Sequence, residues 1–149
     1  MIYTETRDGL LLSTDPELLD VNVIHRFIAE ESYWAPGVPR EVVERAIAHS
    51  LCFAVYNDGA QIAFARIVTD HATFAYLADV FVLPQHRGAG IGKWLMEAII
   101  RHPQLQGLRR WMLMTADAHG LYAQYGFAPL KRPERAMERF APDVYQRAS

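Results

Sequence analysis

The residues best placed for chemistry are three glycines bracketed by two cations. Gly88, Gly90 and Gly92 lie between Arg87 and Lys93. Glycine has no Cβ, so an anion can come close to the main chain, and it tolerates positive φ. The flanking sequence supplies the rest of an anion site. Ala78 to Leu83 is an apolar, β-branched and aromatic run suited to a buried strand. Pro84 to Gly90 is a turn, and Ile91 to Arg101 carries Ile91, Leu95, Ala98 and Ile99 at helical spacing. A strand thus leads through a glycine-rich turn into a helix N-terminus, where unpaired N–H groups and the helix dipole favour negative charge. A diphosphate is the natural guest.

Two familiar diphosphate loops fail on spacing. A Walker A loop needs glycine five residues before its Gly-Lys pair and Ser or Thr after it; here those positions are Arg87 and Trp94. The dinucleotide fingerprint needs a third glycine where Lys93 stands, and an acidic residue about 20 residues on, where Arg109 and Arg110 stand. The spacing that fits is Gln85-x-x-Gly88-x-Gly90, followed by Ile91-Gly92. It resembles the coenzyme A pyrophosphate loop of the GNAT superfamily of N-acetyltransferases. Tyr122 to Gly126-Phe127, a short helix closing in Y-x-x-x-G-F, resembles the other hallmark of that superfamily. The two motifs come in the family's order, separated by one helix and one strand.

The resemblance implies an α+β fold of α/β-sandwich type. Its central sheet is mixed and mostly antiparallel, with helices on both faces and a splayed central strand pair. It implies acetyl-CoA as cosubstrate, with Gln85, Arg87, Gly88, Ala89, Gly90, Ile91 and Gly92 around the diphosphate and Lys93 nearby. The main chain of Val80, Phe81 and Val82 would pair with the pantetheine arm, as an added strand does. Tyr122 would stand beside the sulfur and protonate the departing thiolate. Asp117 occupies a place where many relatives carry asparagine; an aspartate accepts but cannot donate a hydrogen bond. The family's acceptor loop corresponds to Tyr33 and Trp34, with Tyr76 also assigned to the acceptor site. Asp79 is the candidate base for the amine, directly or through water, with Tyr76 and His119 as alternatives. Asp79 reads equally well as a strand-edge carboxylate paired with an arginine. The expected reaction is acetyl transfer to a primary amine of a small molecule, peptide or protein. The competing reading is a non-catalytic acyl-CoA-binding or sensing module on the same scaffold.

The elements that must position these groups follow from pattern. Ile2 to Thr6 and Leu10 to Ser13 flank Asp8-Gly9, a hairpin signal. Asp15-Pro16 predicts the start of a helix running to about Ala29. Glu31 to Pro39 is a loop, and Arg40 to His49 the second helix. Leu51 to Tyr56, Gln61 to Val68 and Thr73 to Leu83 form a meander of three strands. The helix after the glycine loop should end at His102-Pro103, where proline cannot continue it. Arg110 to Thr115 is a strand expected parallel to Thr73–Leu83 through a right-handed crossover. Asp117 predicts the cap of a short helix, Ala118 to Gln124, with Gly126 at its C-terminal end. Ala128 to Lys131 and Ala136 to Phe140 are candidate final strands.

The 149 residues suggest one domain, 1–149, about half apolar and a fifth charged. A formal net charge of −2 gives no electrostatic case for nucleic acid or an anionic membrane. Cys52 is the single cysteine and reads as a buried thiol. His25, His49, His71, His86 and His102 show no metal-ligand spacing, so no metal is expected. Neither a signal peptide nor a membrane-length apolar run is evident, so a cytoplasmic location is expected. The oligomeric state is open, a homodimer included.

Overall fold

The computed structural model describes residues 1–146. Six strands form one sheet in chain order: β1 (Thr4–Arg7), β2 (Leu10–Ser13), β3 (Leu51–Asn57), β4 (Ala60–Thr69), β5 (Phe74–Val82) and β6 (Arg110–Leu113). The first four junctions are antiparallel and β5–β6 is parallel, as the strand–helix–strand unit requires. Four helices accompany them: α1 (Val21–Arg26), α2 (Arg40–Ala48), α3 (Ile91–Arg101) and α4 (His119–Ala123). Asp8-Gly9 and Asp58-Gly59 both have positive φ at each residue, the backbone that two-residue hairpins need to match strand twist.

Alternation along the strands builds a core on each face. One face carries Phe53, Val55, Ala63, Ala65 and Ile67 against Trp94, Leu95 and Ile99 of α3. The other carries Cys52, Ala54, Tyr56, Phe64 and Phe81 against Ile24, Phe27 and Val43. Burial pushes the Cys52 thiol up to about 12, so it stays protonated and unreactive, as expected of a core cysteine.

Several boundaries differ from the pattern reading. Asp15 caps only a short 3-10 turn, Pro16–Leu18; Asp20 caps α1, accepting from the N–H groups of Asn22 and Val23. Two acidic caps in close succession split what pattern alone joins. After Arg26 the helix widens into a π turn, Phe27–Glu31, closed by the Ser32 N–H donating to Phe27 O at 3.0 Å. Asp117 does not cap α4. Thr115 Oγ1 takes the Ala118 N–H at 3.0 Å instead, and α4 begins at His119. Ala128–Lys131 and Ala136–Phe140 form no strands; this stretch is largely exposed, with Met137 at 98%. Its prolines remove ladder donors, and its apolar residues do not alternate over a length that could bury one face.

α3 ends where expected. His102 is fully buried and its Nδ1 accepts the Gln104 N–H at 3.1 Å. The ring proton therefore sits on Nε2, facing the rings of Phe53 and Tyr3, each with centroids 5.5 Å away. Along its length α3 is tied to β1 through Glu5, which accepts from Trp94 Nε1 (3.0 Å), Arg101 Nη2 (2.7 Å) and the Tyr3 hydroxyl. Partial burial pushes the Glu5 carboxyl up, but these donors outweigh it and hold it at about 2.

A folded-state value below the unfolded one means that Glu5 stabilises the fold above pH ~4.5 and ceases to as pH falls toward 2. Glu5→Gln should cost about 1–2 kcal/mol at pH 7 in urea unfolding. The gap from wild type should close between pH 4.5 and 2. A gap constant across that range would show that Glu5 acts by shape alone.

Candidate active site

The site begins where β5 leaves β6. The two strands pair from Phe74↔Arg110 to Leu77↔Leu113 and no further, while β5 continues to Val82. Past Leu77 the β6 side of β5 therefore has main-chain groups with no strand beside them among the described residues. On the β4 side, Ala78 pairs with Arg66 and Phe81 with Phe64, so Asp79 and Val80 together oppose Ala65. This is a β-bulge, which bends a strand and sharpens its twist. Asp79 takes φ 50°, in the left-handed region. Aspartate tolerates that backbone better than most residues. Two bonds to its side chain hold it there: Arg66 Nε donates to Oδ2 at 2.7 Å and Trp34 Nε1 to Oδ1 at 2.8 Å.

The splay opens a cleft of about 630 Å³. Its floor and walls include Leu77–Val80 of β5 and Leu113–Ala118, the end of β6 and the segment into α4. Tyr122, Asp79, Tyr33, Trp34, Tyr76 and Asp117 all line it. Residues far apart in sequence therefore meet around one space. Tyr33 and Trp34 stack edge to face, with centroids 5.2 Å apart. The Ala116 N–H donates to Tyr33 Oη at 2.9 Å, which ties the loop after α1 to the opposite wall. Trp34 reaches back over Phe27, which stacks on Phe81 at 4.1 Å. Phe81 thus anchors β5 through its side chain and offers the cleft side only its main chain.

Four candidate proton carriers separate on environment. Burial raises the Tyr122 phenol above its ordinary 10.0, with Tyr33 and Asp117 adding to the shift. It is therefore protonated throughout the neutral range, a donor rather than an acceptor. Tyr76 is raised too, by burial first, so it is no base at neutral pH. His119 is exposed and outside the cleft lining. Asp79 and Asp117 are the carboxylates on the wall, and each oxygen of Asp79 keeps a lone pair beyond its one bond. Arg66, its partner, was not evident from spacing. A basic residue within an otherwise apolar strand is the signal that could have marked it. Phe140 and Tyr145 also line the cleft, from a tail whose sequence predicts strands instead.

The glycine loop continues from β5. Pro84–His86 make one 3-10 turn, and Gln85 is exposed on it. Gly88 (φ 84°) and Gly90 (φ 79°) both take left-handed backbone, and Gly90 is the N-cap of α3 without a side-chain cap. A Cβ at either would meet no atom within 4 Å, so the space beside them is open. Gly88, Ala89 and Gly90 are exposed, and their N–H groups and those of Ile91, Gly92 and Lys93 find no acceptor among the described residues. Gly92 lies against Val82, where a Cβ would reach Val82 Cγ2 at 4.0 Å. Arg87 turns back, its Nε donating to Val82 O at 2.9 Å, which fixes a positive charge at the end of β5. Lys93 is exposed on the first turn, and its carbonyl accepts the Tyr125 hydroxyl at 3.3 Å. That bond links the two motifs directly. Open amides, an uncovered helix end and two cations fit a diphosphate. No cluster of side chains suited to a metal ion occurs among the described residues.

Comparison with known proteins agrees with this geometry. The family model for the acetyltransferase (GNAT) domain matches residues 48–129, more than half the chain. A presumptive acetyltransferase of Gibberella zeae, FG08082, is 34% identical over 141 residues, covering 80% of this chain and 78% of that protein. The crystal structure of a presumptive GNAT-family acetyltransferase of Xanthomonas campestris is 54% identical, with a TM-score of 0.91 over 94% of this chain and 99% of that one. A presumptive acetyltransferase of Clostridium acetobutylicum, solved with acetyl-CoA, shares the fold at 17% identity, with a TM-score of 0.62 over 94% of this chain and 96% of that one. From the splayed strands and the uncovered amide loop to the family match across both, the chain belongs to the GNAT acetyltransferase family.

Proposed function

We propose that this chain is an acetyl-CoA-dependent N-acetyltransferase that acylates a primary amine by direct attack. The observation that carries the proposal is the continuity of one path. The open edge of β5 runs from the uncovered amides at Gly88–Lys93 to the cleft that holds Tyr122. A ligand with a diphosphate at one end and an extended arm fits that path. The Clostridium relative was solved with acetyl-CoA, which supports the choice of cosubstrate.

Bound acetyl-CoA supplies an acyl carbon that an amine nitrogen can attack, the N–C bond forming as the C–S bond breaks. The chain's own residues do the rest. The amides and the α3 dipole hold the diphosphate, with Arg87 and Lys93 adding charge. Unpaired main chain of β5 beyond Leu77 orients the arm and can donate to the acyl oxygen as charge develops there. Tyr122 keeps its proton at neutral pH and gives it to the departing sulfur. The nitrogen's surplus proton leaves through Asp79 or water. Protons balance, and nothing is oxidised or reduced. A non-catalytic acyl-CoA binder would need the amide loop but no phenol in the cleft, and Tyr122 favours the enzyme.

Tyr122→Phe should lower kcat about 10²-fold or more while the KM for acetyl-CoA stays within about a factor of three, read by thiol release over an amine panel. An unchanged kcat removes the acid from the mechanism. Turnover of no amine by wild type, with tight acetyl-CoA binding, favours the sensor. Gly90→Val should weaken coenzyme A binding in calorimetry about tenfold, since the left-handed backbone costs a β-branched residue ~1–2 kcal/mol. Binding of pantetheine, which lacks the diphosphate, should be unaffected; equal loss for both ligands would place the diphosphate elsewhere. Asp79→Asn keeps the shape and should lower kcat/KM for the amine without raising the KM for acetyl-CoA. An acceptor pH profile identical to wild type would leave water as the base.

A further inference from the structure

A second cavity lies behind the first. It has a volume of about 70 Å³ and sits between α1, α2 and β4, walled by Ile24, Val43, Ala46, Ile47 and Phe64. Ala35, Arg66, Asp79 and Tyr145 line both this cavity and the main cleft. The two spaces therefore adjoin at the Arg66–Asp79 pair, beside the carboxylate assigned to the acceptor amine.

The chemistry of the walls selects the occupant. Beyond the ion pair and Tyr145 the lining is aliphatic or aromatic. Arg66 and Asp79 are paired at 2.7 Å, so the charges at the mouth of the cavity offset each other and its interior carries none. Away from that pair and Tyr145, a polar group placed inside would lose hydration without gaining a partner. Protein interiors are otherwise close-packed. The neighbouring wall of α2 is only partly sealed, since Val42, Ala46 and Ile47 are all half-buried. An engineered cavity of about 150 Å³ holds benzene, so this one has room for about three carbons, the size of an isopropyl group.

Building on the acetyl-transfer reading above, we infer that the acceptor is a primary amine bearing a compact, branched apolar group, which enters this side cavity while the nitrogen lies at Asp79. Two kinds of molecule share that chemistry: a simple branched alkylamine, and a free amino acid with an aliphatic side chain. Arg66 distinguishes them in principle. Its Nε and Nη1 are engaged by Asp79 and Ser50 Oγ, whereas Nη2 has no partner among the described residues and could meet a carboxylate.

The test is acceptor kinetics with acetyl-CoA on methylamine, n-propylamine, 3-methylbutylamine, 2-phenylethylamine, spermidine and leucine. The kcat/KM should rise about fourfold per buried methylene up to the 3-methylbutyl group, then fall for phenylethyl and spermidine. Preference for leucine over 3-methylbutylamine would bring in Arg66, and the reverse a plain alkylamine; either supports the cavity. Ala46→Leu, or Val42→Phe should that variant fold poorly, fills the space. It should cut kcat/KM for the 3-methylbutyl acceptor at least tenfold and leave methylamine and coenzyme A binding within twofold. A flat series overturns the inference while leaving acetyl transfer standing. So does a higher Tm in Ala46→Leu with the series unchanged, since the cavity is then a packing void. If wild type turns over no amine, both readings fall.

Discussion

The irregular stretch of β5 at Asp79 and Val80 is the constraint on which the cleft depends. A regular β5 would stay in register with β4 and lie flat against β6, and there would be no opening between the parallel strands. Two residues opposite one bend the strand as its partner ends. The bend is costly because Asp79 occupies left-handed backbone. Arg66 and Trp34 offset that cost through the carboxylate, and Phe27 packs the far side of the strand through Phe81. Two of the groups that hold the bend, Arg66 and Trp34, thus also wall the cleft. Chemistry and architecture are not separable at this point of the sheet.

α3 has two ends with different tasks. Its first turn offers uncovered amides, and its body is buried in the sheet through Trp94, Leu95, Met96 and Ile99. Trp94 joins that body to the hairpin, since its indole N–H reaches Glu5 while the ring packs in the core and carries Arg7 5.0 Å above it. The amino-terminal hairpin therefore anchors α3 through Glu5 and Arg7. The Tyr125–Lys93 bond does the same from α4. The helix that follows the glycine loop is held on both sides by segments distant in sequence.

Much of this was legible from residue order. The meander, the glycine turn, α3 with its stop at His102-Pro103, and the parallel β6 all follow from strong, local signals: alternation, Asp-Gly turns and proline. The meeting of Tyr122, Asp79, Tyr33, Trp34 and Tyr76 in one cleft was accessible through the family likeness, because no spacing rule brings residues that far apart together. What escaped the reading was tertiary. Arg66 marks a polar break in β4, but only the fold shows that it pairs with Asp79. Asp15 and Asp117 carry the chemistry of helix caps, yet Asp20 caps α1 and no side chain caps α4, because the chain's path, not its local preference, decides which oxygen meets the free N–H groups. Phe140, the last residue of a predicted strand, and Tyr145, beyond it, come from a tail that forms no strand, so its pattern gave no sign that they line the cleft.

Both margins of the sheet are four residues long, β1 and β6, and both carry ionic side chains: Glu5 and Arg7 on one, Arg110 on the other. Short, charged borders are poor templates for another strand to extend. Crowded copies of this molecule are thereby discouraged from joining at these two borders into a growing ribbon.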